Sequence, residues 1–169
     1  MPPIILRPGI TNRRLWHPGR RRCWKSVRKA ILDRDDFTCQ SCGHRALKWM
    51  HVHHIDDSRD NAPANLVTLC VACHAILHLG LSMMHGALQV YRAEESQLEI
   101  VQRTRGLVAR GKSLDKIRKS FTLTEGRYAP SSLDYANGLV RSVGEKSRAS
   151  LRRPLAAVFV RFQRWQLER

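Results

Sequence analysis

Acidic side chains are scarce in this chain. Fourteen Asp and Glu stand against thirty Lys and Arg, leaving a net charge of +16 at neutral pH across 169 residues. Solubility alone is more often secured with acid, so a surplus this large points to a polyanionic partner. Long apolar runs are absent too. No stretch approaches the roughly 20 residues a membrane span needs, and the apolar run within Met1–Pro8 is too short for a secretory signal. Cysteine is limited to five residues, four of them in C-x-x-C pairs and the fifth at Cys23. Without an export signal, such pairs suggest metal ligation in a reducing compartment rather than disulfides, a redox dithiol being the alternative. There is no internal repeat and no low-complexity tract.

What is present is concentrated in the middle. Residues 1–36 are net +7, residues 37–80 are net zero and residues 81–169 are net +9. The ends carry the positive field and the neutral segment carries the motifs. Three parts follow: a basic N-terminal arm over 1–21, a core over 22–80 and a basic helical extension over 81–169. The expected class is α+β, mostly helical.

Cys39-Gln-Ser-Cys42 and Cys70-Val-Ala-Cys73 are two knuckles of one four-thiolate site. A tight turn brings both sulfurs of each knuckle to one side, where a tetrahedral zinc ion can take them. A small core with little apolar surface needs such a staple. Cys23 lacks a partner at knuckle spacing and reads as a buried hydrophobe. Trp24, Val27 and Ile31 recur at helical spacing within 22–35. Lys25, Arg28 and Lys29 fall off that face, where they can meet phosphates, as can Arg20, Arg21 and Arg22 in the arm. Residues 45–55 alternate like a strand, 56–64 form a loop, Leu66–Leu69 is a second strand, and Cys73–Leu79 is a helix closed by Gly80. Strand, loop, strand, helix is a ββα order.

Four of the histidines in this unit stand in pairs: His53 and His54 adjacent, then His74 and His78 on one face of a helix. Phosphodiester hydrolysis needs a group to activate water and a positive centre for the phosphate oxygens and the leaving group. An imidazole near its ordinary pKa supplies the first, a divalent ion the second. His53-His54-Ile55, Asn65-Leu66-Val67-Thr68-Leu69-Cys70 and Cys73-His74, preceded by Arg34-Asp35-Asp36-Phe37-Thr38-Cys39, resemble the cysteine-bearing branch of the HNH endonucleases. The resemblance covers residues 24–80. It implies a ββα-metal core stapled by zinc, with His54 as general base and Asn65 holding the loop and orienting His54. It implies His53, His74 and His78 as ligands of a catalytic ion, His53 being the variant seen in colicin nucleases. Mg²⁺ is the expected ion, with Mn²⁺, Ni²⁺ or Zn²⁺ as alternatives. The expected substrate is DNA, cut to leave 3′-hydroxyl and 5′-phosphate ends, although the residues do not separate DNA from RNA. The alternative is a zinc-containing protein that binds DNA without cutting it. Strict alternation puts His53 and His54 on opposite faces, so the strand must end or distort there. Arg59, in the loop, is a candidate phosphate contact. The setting this implies is cytoplasmic, bacterial or phage-encoded.

Gly106-Leu-Val-Ala-Arg-Gly111-Lys112-Ser113 matches a P-loop pattern, but no buried strand precedes it. Lys112 is instead one more cation for nucleic acid. The extension is read as four helices. One holds Leu88, Tyr91, Leu98 and Val101; the second holds Leu114, Ile117 and Phe121, with Ser113 as N-cap. The third is Leu133–Val143, with Ser131 and Asp134 as a capping box. The fourth spans 150–168 and could pack or form a homodimer. Residues 107–122 and 131–143 could lie against DNA, with a loose helix-turn-helix character.

Overall fold

The computed structural model describes residues 4–11, 24–56, 60–143, 148–163 and 167. Arg20, Arg21, Arg22, Cys23 and Arg59 lie outside the described residues. A mixed α+β chain results, and no helix among the described residues is long and apolar enough to cross a membrane.

Helix α1 spans Trp24–Arg34 and buries Ile31 and Leu32. Its end is tied down by charge. The Arg34 guanidinium donates to the carbonyls of Pro63 at 2.7 Å and Leu66 at 2.9 Å. Asp35 accepts the backbone N–H of Thr68 at 2.9 Å. These bonds fix α1 to an antiparallel hairpin of β2, Met50–His54, and β3, Leu66–Cys70. Its register sets Met50 opposite Cys70 and His54 opposite Leu66. All five residues of β3 are buried, which suits a strand covered on both faces. The first strand begins at Met50, not at 45, because Trp49 turns the backbone through a positive φ of 64°.

Helix α2, Val71–Leu77, follows directly, and the Cys70 sulfur caps it by accepting the Cys73 N–H. Gly80 does not end the helical run. It lies inside a further helix, α3, Leu79–Met84. A Cβ at Gly80 would stand 2.5 Å from a methyl of Val140, so the glycine serves close packing, not termination.

Residues 4–11 pack against the rest of the described chain and are not a loose arm. Leu6, Ile10 and Thr11 are buried, and β1, Gly9–Thr11, pairs antiparallel with a late strand, Arg148–Ser150. Between these lie β4 (Leu88–Ala93), α4 (Gln97–Ala109), α5 (Leu114–Arg118), β5 (Leu123–Thr124) and α6 (Leu133–Ser142). The strand Arg148–Ser150 is β6, and β7 is Leu155–Phe159.

The extension is therefore not a set of helices. β4 and β7 belong to a three-stranded antiparallel sheet of order β5-β4-β7, with Leu88 opposite Phe159. Two of the four expected helices are strands in part or whole. The Gln97 side chain, buried at the start of α4, donates to Ala157 O at 2.9 Å and accepts from Ala157 N at 2.8 Å. It acts as a strand partner for the edge of β7. Ser113 caps α5 as expected, but Ser132, not Ser131, caps α6. Residues 106–109 are helical and Gly111 turns at a φ of 78°, so the P-loop pattern sits at the end of a helix and cradles nothing. α5 has only five residues and is followed by β5, so residues 107–122 are not one helix. Arg105 of α4 meets His44 Nε2 at 2.7 Å, linking the extension to the first knuckle.

Candidate metal centres

The first centre is the thiol cluster. Cys39, Cys42, Cys70 and Cys73 hold their sulfurs within 4.8 Å of one another. Gly43 closes the first knuckle at a φ of 76°, its N–H bonded to Cys39 O at 2.9 Å. The Cys42–Cys70 sulfur separation is 3.7 Å. A disulfide would need about 2 Å, whereas sulfurs about 2.3 Å from a tetrahedral zinc ion stand about 3.8 Å apart. The spacing fits zinc. Without a cation the four thiols compete for charge. Hydrogen bonds from Cys42 and then Cys70 and Cys73 hold Cys39 far below its usual range, while Cys39 and then Cys42 push Cys70 up, and Cys39, Cys42 and Cys70 push Cys73 up. A divalent ion lets all four ionise together. Held by these four residues, it would join the segment after α1 to the start of α2.

The second centre is the histidine cluster. His53, His74 and His78 offer ring nitrogens within 4.8 Å of one another. His53 points inward from β2 and is 3% exposed. His74 comes from the middle of α2, and His78 is the residue between α2 and α3. The rings of His74 and His78 are 4.5 Å apart, and His53 meets them edge-on at 5.6 Å and 5.1 Å. Nitrogens about 2.1 Å from a tetrahedral ion would be about 3.4 Å apart, within the 4.8 Å that bounds the three here. His74 is held well below the ordinary imidazole range, first by desolvation and then by His78, His51 and His53. It is neutral and free to offer a lone pair. Three imidazoles suit Zn²⁺, Ni²⁺ or another transition ion better than Mg²⁺, which prefers oxygen ligands.

Two neighbours of this cluster escaped the sequence reading. Thr11 Oγ1 lies 3.0 Å from His78 Nδ1 and is 1% exposed. For His78 to ligate through Nε2, Nδ1 must carry the proton and donate to Thr11, an arrangement that orients a metal-binding ring. Nothing at residue 11 hints at a partner 67 positions away. His51 stacks on His74 at 4.4 Å and 15°. Burial, and then the charge of Arg28, push its pKa down, so it packs as a neutral ring.

His54 is not in the cluster. The alternation of β2 sends it to the other face, where it stacks on Trp24 at 5.8 Å. Its Nε2 lies 3.0 Å from Asn61 Oδ1. The amide oxygen only accepts, so Nε2 donates in this contact. Asn65 shapes the loop that delivers Asn61. It accepts Asp56 N at 3.1 Å, donates to Asp60 O at 3.0 Å and takes the Ile55 N–H on its carbonyl at 2.8 Å. Its influence on His54 is indirect, through Asn61, which the sequence reading missed although it stands between Asp60 and the turn.

Among the cations assigned to nucleic acid, Arg28 is spoken for. Its guanidinium donates to Met50 O at 2.7 Å and ties α1 to β2. Lys29 pairs with Asp33 along α1. Lys25 and Lys112 are exposed.

No protein-family model matches the chain. It is 32% identical over 81 residues to the type 4 apparatus protein DotN of Legionella pneumophila, covering 46% of this chain and 38% of that protein. It is 31% identical over 80 residues to the Zorya protein ZorE of Escherichia coli, covering 44% of this chain and 22% of that protein. The matched region spans well under half the length of either relative.

Proposed function

We propose that the chain is a metal-dependent endonuclease of the HNH kind, hydrolysing phosphodiester bonds in DNA. One observation carries the reading: three imidazoles from β2, α2 and the α2–α3 junction converge within 4.8 Å, at a strand end whose last residue is a fourth histidine. The names of DotN and ZorE state no reaction, so the reading draws on this geometry and on the HNH-like residue pattern.

A transition ion, when bound, would draw charge from the scissile phosphate and assist the leaving oxygen. The residues do the rest. His53, His74 and His78 hold that charge on one face of the hairpin. His54 takes the proton of the attacking water at Nδ1, its other nitrogen kept protonated by Asn61. In an in-line displacement, nucleophile and leaving group stand on opposite sides of phosphorus. A base and a cation on opposite faces of one strand end can therefore flank a single phosphate. A zinc ion held by Cys39, Cys42, Cys70 and Cys73 would keep this scaffold rigid and do no chemistry.

The rival reading is a zinc-containing protein that binds DNA without cutting it. It is favoured by the contact of His54 with Trp24 in place of the other imidazoles. Incubating the purified chain with supercoiled DNA and Mn²⁺, Ni²⁺ or Mg²⁺ separates the two. Relaxed or linear product that requires the ion supports the nuclease. Retarded but uncut DNA with every ion supports the rival.

A further inference from the structure

A groove of about 420 Å³ opens on the sheet of the extension, away from the residues assigned to either metal centre. Its floor is apolar: Val90 of β4 with Pro154 and Leu155 at the start of β7. Four arginines line it, Arg92, Arg127, Arg152 and Arg153, and no acidic side chain does. Two tyrosines complete it. Tyr128 and Tyr135 stack at 4.7 Å and 15°, and Tyr128 stays 48% exposed. Arg127 covers the Tyr128 ring at 5.7 Å.

Each part has a chemical meaning. Exposed arginines without acidic partners in the same groove leave a positive field for phosphates. Arg153 is the most compensated, donating to Glu94 O and facing the Glu99 carboxylate. An exposed aromatic ring, backed by a second ring that fixes its plane, is a stacking platform. A volume of this size holds a nucleotide-sized group. Duplex DNA keeps its base faces stacked inside and would offer the tyrosine nothing. An unpaired base can replace the Arg127 guanidinium over Tyr128, because base–aromatic stacking outweighs an exposed cation–π contact. The displaced guanidinium then meets the adjoining phosphate.

We propose that this groove binds single-stranded nucleic acid, one unpaired base on Tyr128 and its flanking phosphates on Arg92, Arg127 and Arg152. The inference rests on the reading that the substrate polymer is nucleic acid, but it does not require that the chain cut it.

The test is fluorescence anisotropy with a short labelled oligothymidylate carrying phosphorothioate linkages, which resist cutting, beside a blunt duplex. Tyr128→Ala should weaken single-strand binding about five- to a hundredfold and change duplex binding less than twofold. Tyr128→Phe should bind like wild type. The pair Arg127→Ala and Arg152→Ala should flatten the salt dependence of single-strand binding by about one to two charges. Thermal melts of the variants check that the fold is kept. Wild-type affinity in Tyr128→Ala, an equal loss on duplex, or equally effective competition by polyglutamate overturns the groove. Hydrolysis of bis(p-nitrophenyl) phosphate reads the histidine cluster separately. If that diester is untouched while the Tyr128 effect persists, the nuclease reading fails and the groove stands.

Discussion

Thr11 and His78 meet at 3.0 Å across 67 positions of sequence. The contact brings the N-terminal strand, held by β6, onto the ring of a candidate metal ligand. The described end of the basic arm is thus part of the histidine centre's support. Thr11→Val removes the oxygen while keeping the shape. It should weaken binding of Ni²⁺ or Zn²⁺ at the histidine cluster about ten- to a hundredfold, while Thr11→Ser keeps it. Titration of the zinc-loaded chain with Ni²⁺, followed by calorimetry, reads both. Equal affinity for all three chains contradicts the orienting role.

Gly80 and Val140 form a second close pair, between α3 and α6. Helix propensity alone favours Gly80→Ala by about 1 kcal/mol. Overpacking costs about 1–3 kcal/mol, and an approach of 2.5 Å tips the balance toward loss. Gly80→Ala should lower stability by about 1–2 kcal/mol in urea melts. Adding Val140→Ala should then cost less than it does in the wild type. Additive effects would mean that the two residues do not touch.

Asp35 gives a pH test. Burial raises its pKa, but hydrogen bonds from Arg34 and Thr68 outweigh that and hold it below the usual 3.8. A carboxylate with a lowered folded pKa stabilises fully above the unfolded value, and the gain disappears only as pH falls through the folded one. Asp35→Ala leaves the Thr68 N–H without its acceptor and should cost about 1–3 kcal/mol. That gap should be the same at pH 7 and at pH 5. A gap that shrinks by pH 5 would place the carboxyl above its ordinary range.

The thiol cluster should dominate folding of the hairpin. Structural zinc contributes about 10–16 kcal/mol in small domains, as much as a typical domain's whole stability of about 5–15 kcal/mol. A strong chelator, or Cys73→Ser, should therefore abolish the cooperative melt. A melt that is cooperative and unshifted without zinc would show that the apolar core is sufficient.

The motif segment was legible in the sequence because its signals are local. Knuckle spacing and the i,i+4 pair His74 and His78 follow from backbone periods, but the distortion expected at His53-His54 does not occur: β2 keeps its alternation through His54 and sends the two rings to opposite faces. The extension was not, for a physical reason. β7 is buried over most of its length, so Leu155, Val158 and Phe159 give a near-continuous apolar run that looks the same in a helix. Leu88 and Tyr91 fall at helical spacing with each other by chance, although Leu88 and Val90 alternate as a strand should. Thr11 and Asn61 carried no motif, and only tertiary pairing reveals what they touch.

The central claim is that an ion at His53, His74 and His78 drives strand cutting. The direct measurement is the rate of relaxation of supercoiled DNA against Ni²⁺ or Mn²⁺ concentration, for wild type, His74→Ala and His54→Ala, each with its zinc content and melt recorded. The wild-type rate should saturate with the ion. Both variants should lose at least about a hundredfold in rate, as expected for a lost ion or general base, with zinc and fold intact. Cutting at the wild-type rate by His74→Ala, or no cutting by the wild type with any ion, would contradict the account.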